Sequence, residues 1–292
     1  MLESTASKTA EYMALFRALE SSRPATKRLF NDRFAAGFLR PKFKLVDLAA
    51  RIPAAGQLLP WIIDHRWPGA RPAGVARTRF IDDLLVRALK EGIRQVVILG
   101  AGFDCRAYRI DSLEGVRVFE VDHPNTLQAK RQHLSRLLET MPNNVRFLAV
   151  DFNTTRLDDA LRASEFDGTK PAFIIWEGVT NYLTAEAVDA TLRFVGSLAS
   201  GTQILFTYVD RKVLEDNSAF PGGEKLFRTL KEAGESWTFG FDPAELDDYL
   251  KERGMRLIDD LGSVEIRQRY MERTKRNLTG YEFYRAALAL VV

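Results

Sequence analysis

Between residues 95 and 209, short apolar runs alternate with longer stretches in which apolar positions recur every three or four residues. The runs are QVVIL (95–99), VRVFEV (116–121), VRFLAV (145–150), AFIIWE (172–177) and TQILFTYV (202–209). Several are apolar throughout, as strands covered on both faces must be. Helical segments separate them, notably PNTLQAKRQHLSRLLET (124–140) and TAEAVDATLRFVGSLAS (184–200). Thr184 supplies the latter with an N-cap. Alternating strand and helix predicts βαβ units and a parallel sheet.

On either side the pattern changes. Residues 1–92 read as helical, a cap belonging to the same domain as the core over 93–292. Residues 210–241 are polar and glycine-rich, with FPGGEK and AGESWTFGF, and predict a lid inserted in that core. A helix should follow, with Asp242 as N-cap, Pro243 at its first position, Glu245 closing a capping box and Gly254 as stop. MRLIDDL (255–261) and YEFYRAALALVV (281–292) read as two late strands flanking a basic helix, SVEIRQRYMERTKRN. The fold class is therefore α/β: a Rossmann-like, doubly wound sheet, mostly parallel, with an antiparallel last strand.

Composition narrows the function. With 46% hydrophobic residues among 292, the chain can bury a full core. The 42 basic and 39 acidic residues leave a net charge of +3, too little to make nucleic acid the main partner. One cysteine, Cys105, permits no internal disulfide and fits a reducing compartment. Three scattered histidines and that cysteine give no basis for a zinc site. The N-terminus has no signal-peptide pattern, and no apolar run approaches the ~20 residues of a membrane span. The expectation is a cytoplasmic protein with no nucleic acid and no membrane partner.

The candidate chemistry lies at the strand ends. The first strand runs into Gly100-Ala-Gly102, and glycines there let a ligand approach the backbone. The second ends in Glu120-Val121-Asp122, about 20 residues on, where Asp122 can accept both ribose hydroxyls. The third ends in Asp151-Phe152, which could meet the adenine amino group and stack on its ring. His123 follows the ribose acid and is placed beside the adenine. A dinucleotide fingerprint wants a third glycine at 105, which is cysteine. Asp104 would also repel a pyrophosphate, whereas it suits a cationic sulfonium. The site thus favours S-adenosylmethionine over a nicotinamide dinucleotide.

The segments VVILGAGFDCRAYRI, FEVDHPNTLQAKR, AVDF and IIWEGVTNYLTAEAV occur in this order at successive strand ends. As a set they resemble the leucine carboxyl methyltransferase family, including its bacterial and fungal small-molecule relatives. Cys105 departs from the threonine usual there. The resemblance implies S-adenosyl-L-methionine as cofactor and S-adenosyl-L-homocysteine as product. It implies that Lys8 and Arg77 hold the cofactor carboxylate and that Glu177 contacts the methionyl amino group.

A helical wheel tests the two cations separately. At about 100° per residue, Lys8 shares a face with Tyr12, Phe16 and Leu19. Arg77 shares one with Ile81, Leu84, Leu85 and Ala88, while Arg79 points the opposite way. Cations on apolar faces need an anion inside. That anion is either a bound carboxylate, which would leave Arg77 under-paired without ligand, or an internal acid. Tyr182 is read as lining the substrate mouth or as plain packing. His65, in WIIDHRWPG, is read as a pocket-capping loop or a surface turn. The run 267–276 is read as a solvated helix face, or as a contact for an acidic or polymeric substrate.

A carboxylate acceptor is ionised at neutral pH and needs no base, whereas a phenol or alcohol would. The sequence shows no convincing base. It therefore favours carboxyl O-methylation of a small-molecule acid or a peptide C-terminus. Hydroxyl methylation is the alternative, and a reductase or a non-catalytic cofactor-binding protein stands behind it. Phe220, Phe227, Trp237, Phe239 and Phe241 give the lid an aromatic character suited to a hydrophobic acid.

Overall fold

All five apolar runs are strands, and their C-terminal ends line up along one edge of a sheet. The computed structural model describes residues 8–52, 55–66, 69–152, 156–271 and 281–292. In it β1 (Gln95–Leu99), β2 (Arg117–Asp122), β3 (Val145–Ala149), β4 (Phe173–Trp176) and β5 (Gln203–Val209) pair in parallel. β6 (Met255–Gly262) and β7 (Tyr284–Val291) complete the order β3-β2-β1-β4-β5-β7-β6. β7 is antiparallel to both neighbours, so the start of β7 lies beside the end of β5, with Val209 opposite Tyr284. The chain leaves β1 for β2 on one side and later returns to β4 on the other. Ligands of doubly wound sheets bind at that switch point.

Helices α1 (Lys8–Ser21), α2 (Pro41–Ala50), α3 (Ala55–Arg66) and α4 (Ala70–Lys90) precede the sheet. α5 (Arg106–Arg109), α6 (Pro124–Leu137), α7 (Leu157–Arg162) and α8 (Ala185–Gly196) follow β1 to β4 in turn. Between β5 and β6 come α9 (Lys212–Glu215), α10 (Gly223–Ala233) and α11 (Leu246–Lys251), and α12 (Ser263–Met271) precedes β7. The period-two geometry of a strand sends Val96 and Ile98 to one face and Val97 and Leu99 to the other. The first face packs under α1 and α4 with Phe16, Leu19, Ile81 and Leu85. The second packs under α7, α8 and α11 with Leu161, Leu192 and Leu246. Thr184 caps α8 as expected, accepting the Ala187 N–H at 3.3 Å.

Three local expectations change. Asp242 does cap a turn through Ala244 N–H (2.9 Å), but α11 starts only at Leu246. Glu245 closes no capping box, because Arg211 draws its carboxylate away at 2.5 Å. His65 sits on α3 rather than in a loop, exposed and stacked on Trp61 with ring centres 5.2 Å apart. In the basic run, Arg267 is buried, so that helix face is not wholly solvated; residues 272–276 lie outside the described residues. No helix of the described residues is long and apolar enough to cross a membrane.

Beneath the glycine turn, β2 and α6 are joined by a fully buried ion pair, Lys130 Nζ to Glu120 Oε2 at 2.8 Å. Lys130 also donates to the Ala101 carbonyl at 3.3 Å, within the turn itself. Burial pushes the Glu120 carboxyl up from 4.5 to about 7, and Lys130 opposes the rise. Between those values the folded state holds the proton more tightly than the unfolded chain. Stability from this group therefore falls as pH rises through that window. Lys130→Met removes the opposing charge and should cost about 3–5 kcal/mol once Glu120 must ionise. Denaturant melts at pH 5 and pH 8 check this: the loss should be markedly larger at pH 8.

Candidate functional site

The turn after β1 is shaped by two left-handed glycines, Gly100 (φ 65°) and Gly102 (φ 42°). A Cβ at Gly100 would drive into the Val179 side chain, so this position excludes every other residue. Asp122 pins the turn to β2: its Oδ2 accepts the Gly102 N–H and its Oδ1 the His123 N–H, both at 2.6 Å. A carboxylate has lone pairs beyond these two, and Asp122 lines the cavity above the turn.

That cavity has a volume of about 700 Å³, within the range of small-molecule sites. Its wall follows the sheet order. Gly100, Gly102, Asp122 and Phe152 belong to the β1–β3 end; Arg77 and Glu177 come at the β4 end. Tyr182, Glu235, Trp237 and Tyr284 form the wall beyond, over β5 and β7. A separate hollow of about 510 Å³ beside Phe30, Arg87 and Ile110 shares no residue with it.

Of the residues expected from sequence, Arg77, Gly100, Gly102, Asp104, Asp122, Phe152, Glu177 and Tyr182 all reach this one cavity. Two do not. His123 is exposed and spends its Nδ1 on capping α6, accepting the Asn125 N–H at 3.3 Å. The start of α6 leaves N–H groups without helical partners, and the His123 ring accepts one of them. Asp151 lies off the wall, although its neighbour Phe152 is on it. Lys8 opens α1, but its side chain lies outside the described residues. Of the five lid aromatics only Trp237 lines the cavity. Phe220 and Phe227 pack around Phe283 and Trp237, and Phe239 and Phe241 pack against the sheet cluster.

The electrostatics correct the expectation for Arg77. It is not under-paired: its Nε donates to Glu177 Oε1 at 2.7 Å, and its guanidinium lies 5.5 Å from the Tyr284 ring centre. The internal acid is thus the very residue expected to hold the ligand's amino group. Arg79, as expected, is on the other side, paired with Asp83 at 2.9 Å.

Arg106, which the sequence reading missed, organises the rest. Its Nε donates to Asp82 Oδ1 (2.8 Å) and its Nη1 to Glu177 Oε2 (3.1 Å) and to Asp104. Burial would raise the Asp104 carboxyl, but Arg106, Lys130 and Arg17 hold it down at about 2. Burial likewise opposes ionisation of Glu177, and Arg77 with Arg106 still lowers it below the ordinary glutamate value. Both carboxylates are charged at neutral pH. One signal for this network was present in the sequence. Asp82 lies four residues after Thr78 and three before Leu85 on α4, a buried position that demands a cation.

Residues 10–196 match the model of the leucine carboxyl methyltransferase family. The chain belongs to that family. A Mycolicibacterium gilvum relative, provisionally named an S-adenosyl-L-methionine-dependent methyltransferase, is 31% identical over 274 residues, covering 87% of this chain and 85% of its own. A Bacillus subtilis relative with the same provisional description is 29% identical over 228 residues, 77% of this chain and 74% of its own. Two solved structures share the fold. A Thermobifida fusca protein, provisionally called a methyltransferase, gives a TM-score of 0.56 at 19% identity, covering 94% of this chain and 97% of its own. A DUF574 family protein from Streptomyces avermitilis gives 0.59 at 16% identity, covering 95% and 97%. The family match takes in the glycine turn, Arg77, Asp122, Glu177 and Tyr182. It stops before Glu235, Trp237 and Tyr284, which the family reading did not supply.

The pairing of Arg77 sets a prediction. Arg77→Met leaves Glu177 with Arg106 as its remaining cation. The ligand-free protein should lose about 1–3 kcal/mol, the range for stranding a buried charged acceptor. Arg79→Met, whose side chain is 42% exposed and whose partner Asp83 is equally exposed, should cost less. Paired thermal melts without ligand decide between them; an unchanged Arg77→Met melt would show the Glu177 pair to be energetically idle.

Proposed function

We propose that this chain transfers the methyl group of S-adenosylmethionine to a carboxylate oxygen of a small-molecule acid or peptide C-terminus. Membership of the family makes it an S-adenosylmethionine-dependent methyltransferase. The carboxylate acceptor is the further step. The observation that supports the cofactor part of the reading is the adjacent Arg77 and Glu177 on the cavity wall, between the glycine turn and the aromatic end; a carboxylate acceptor is favoured because it needs no base. A methionyl group is a zwitterion, and a cation and an anion side by side present its complement.

The wall fits the cofactor elsewhere too. The glycine turn leaves the backbone bare, Asp122 offers a charged acceptor to ribose hydroxyls, and Phe152 an apolar ring to a base. When bound, S-adenosylmethionine supplies a methyl group on a positively charged sulfur, with a neutral thioether as leaving group. The protein's own task is alignment and water exclusion. Arg77 and Glu177 fix the methionyl end, Asp122 and the turn fix the nucleoside end, and the lid residues cover the acceptor. The charge of Asp104 on the wall disfavours a pyrophosphate and with it the reductase reading.

One observation favours a second reading, a hydroxyl acceptor. Glu235, hydrogen-bonded to Tyr182 at 3.0 Å, places a carboxylate base at the acceptor end that the sequence reading lacked. The product separates the two. Tritium transferred from methyl-labelled S-adenosylmethionine should be released by mild alkali if it forms an ester; label stable to alkali means an ether or an N-methyl group. For the cofactor, Asp122→Ala should weaken S-adenosylhomocysteine by about 1.5–3 kcal/mol, since ribose hydroxyls lose a charged acceptor. Titration calorimetry on the folded variant checks it, and unchanged affinity would remove Asp122 from the site.

A further inference from the structure

The wall beyond Glu177 contains a polar group that cofactor binding leaves unused. Glu235 follows α10 and is half-buried. Its Oε2 accepts two hydrogen bonds, from Thr9 Oγ1 at 2.7 Å and from Tyr182 Oη at 3.0 Å. Three segments far apart in sequence therefore converge on one carboxylate oxygen. No described residue donates to its Oε1. Burial, and then the charge of Glu235, push the Tyr182 hydroxyl up to about 12, so it stays a donor through the physiological range. Tyr182, Trp237, Tyr281 and Tyr284 give this end broad aromatic walls.

Charge on the wall is distributed unevenly. Its described cations are Arg17 and Arg77. Arg17 is spent on Asp32 (2.8 Å) and on the Phe103 carbonyl (2.5 Å). Arg77 stands at the cofactor end. The acceptor end holds an anion and no described cation. An acceptor carboxylate is therefore repelled by Glu235 and attracted toward Arg77 and the sulfonium. A donor group on the acceptor is drawn the other way.

We propose that Glu235 is the acceptor-orienting residue, and that the acceptor is an aromatic acid carrying a hydroxyl or ammonium group at the end remote from its reacting carboxylate. The donor group binds Glu235 Oε1, and the aromatic body lies against Tyr182, Trp237 and Tyr284. The carboxylate then points at the methyl group. Transfer forms a carbon–oxygen bond to the carboxylate, breaks the carbon–sulfur bond, and returns the electron pair to sulfur as the neutral thioether; no proton moves. This inference rests on the carboxylate reading above.

The test uses the full chain loaded with S-adenosylhomocysteine and three probes: 3-phenylpropanoate, its 4-hydroxy derivative and its 4-aminomethyl derivative. Calorimetry should show both donor-bearing probes binding at least tenfold more tightly than the parent acid. Glu235→Gln should abolish the advantage of the 4-aminomethyl probe and reduce that of the 4-hydroxy probe, whose oxygen can still accept from the amide. Tyr182 and Thr9 both donate, so they claim the amide oxygen and leave the NH₂, itself a donor, facing the cavity. The variant should still bind S-adenosylhomocysteine as the wild type does, which shows that it is folded. Equal binding of all three probes, binding of none, or an order preserved in Glu235→Gln overturns the proposal while leaving the methyltransferase reading in place. Failure of the wild type to bind S-adenosylhomocysteine sinks both. With labelled S-adenosylmethionine, the 4-hydroxy probe should yield alkali-labile label. Alkali-stable label would put the hydroxyl at the methyl group and overturn the orientation.

Discussion

A guanidinium buried as deeply as that of Arg106, with a side chain 3% exposed, must be neutralised where it sits. Three carboxylates do so, and each comes from a different part of the fold: Asp82 from α4, Asp104 from the glycine turn, and Glu177 from the end of β4. Without Arg106 those three acids would repel one another. The network extends outward through Arg77 to Glu177, through Arg109 to Asp82, and through Arg17 to Asp32. Four guanidiniums thus face four carboxylates. Buried ion networks of this kind contribute little net stability compared with apolar packing. What they fix is geometry, because each member has few other places where its charge is tolerated.

That constraint gives the N-terminal helices a second task besides covering one face of the sheet. α4 supplies Arg77 and Asp82, and α1 supplies Arg17, so the charges at the switch point are completed from the N-terminal helices. The arrangement also keeps the site charged. With Asp104 held at about 2, its share of the native stability is in place above the unfolded value of 3.8 and is lost only as pH falls through 2. A carboxylate that never protonates near neutrality keeps the turn's hydrogen bonds, and hence the shape the cofactor meets, independent of physiological pH.

Much of this was legible in the sequence, and the limits follow a physical line. The five strands could be read because covered strands must be apolar on both faces. The glycine turn and Asp122 could be read because their relation is local to one βαβ unit. What could not be read are partnerships across long separations. Arg77 and Glu177 are 100 positions apart, and a helical wheel shows that Arg77 needs an anion without saying which. The start of α11 was misplaced for the same reason: Arg211, 34 positions upstream, competes for the capping glutamate. Glu235 lies in a stretch whose composition says only that it is polar. Its meaning comes from Thr9 and Tyr182, which are 226 and 53 positions away.

The sheet order also separates two tasks that the chain must vary independently. The proposed cofactor end is built from β1, β2, β4 and the helices before them, all within or beside the family match at residues 10–196. The proposed acceptor end is built from α10, Trp237, Glu235 and the residues leading into β7, which come after β5. β7 is antiparallel, so its first residues arrive at the same edge as the parallel strands' last ones. A segment between β5 and β6 therefore reaches the same cavity as the glycine turn from the opposite side of the switch point. None of its residues belongs to the Arg106 network, so it can change the cavity wall without disturbing that network. Tyr182 stands at the junction, on the turn after β4 yet bonded to Glu235 of the lid. Together with Thr238, which donates to the Asn181 and Leu183 carbonyls at 2.8 Å each, that hydrogen bond registers the segment after α10 against the turn following β4.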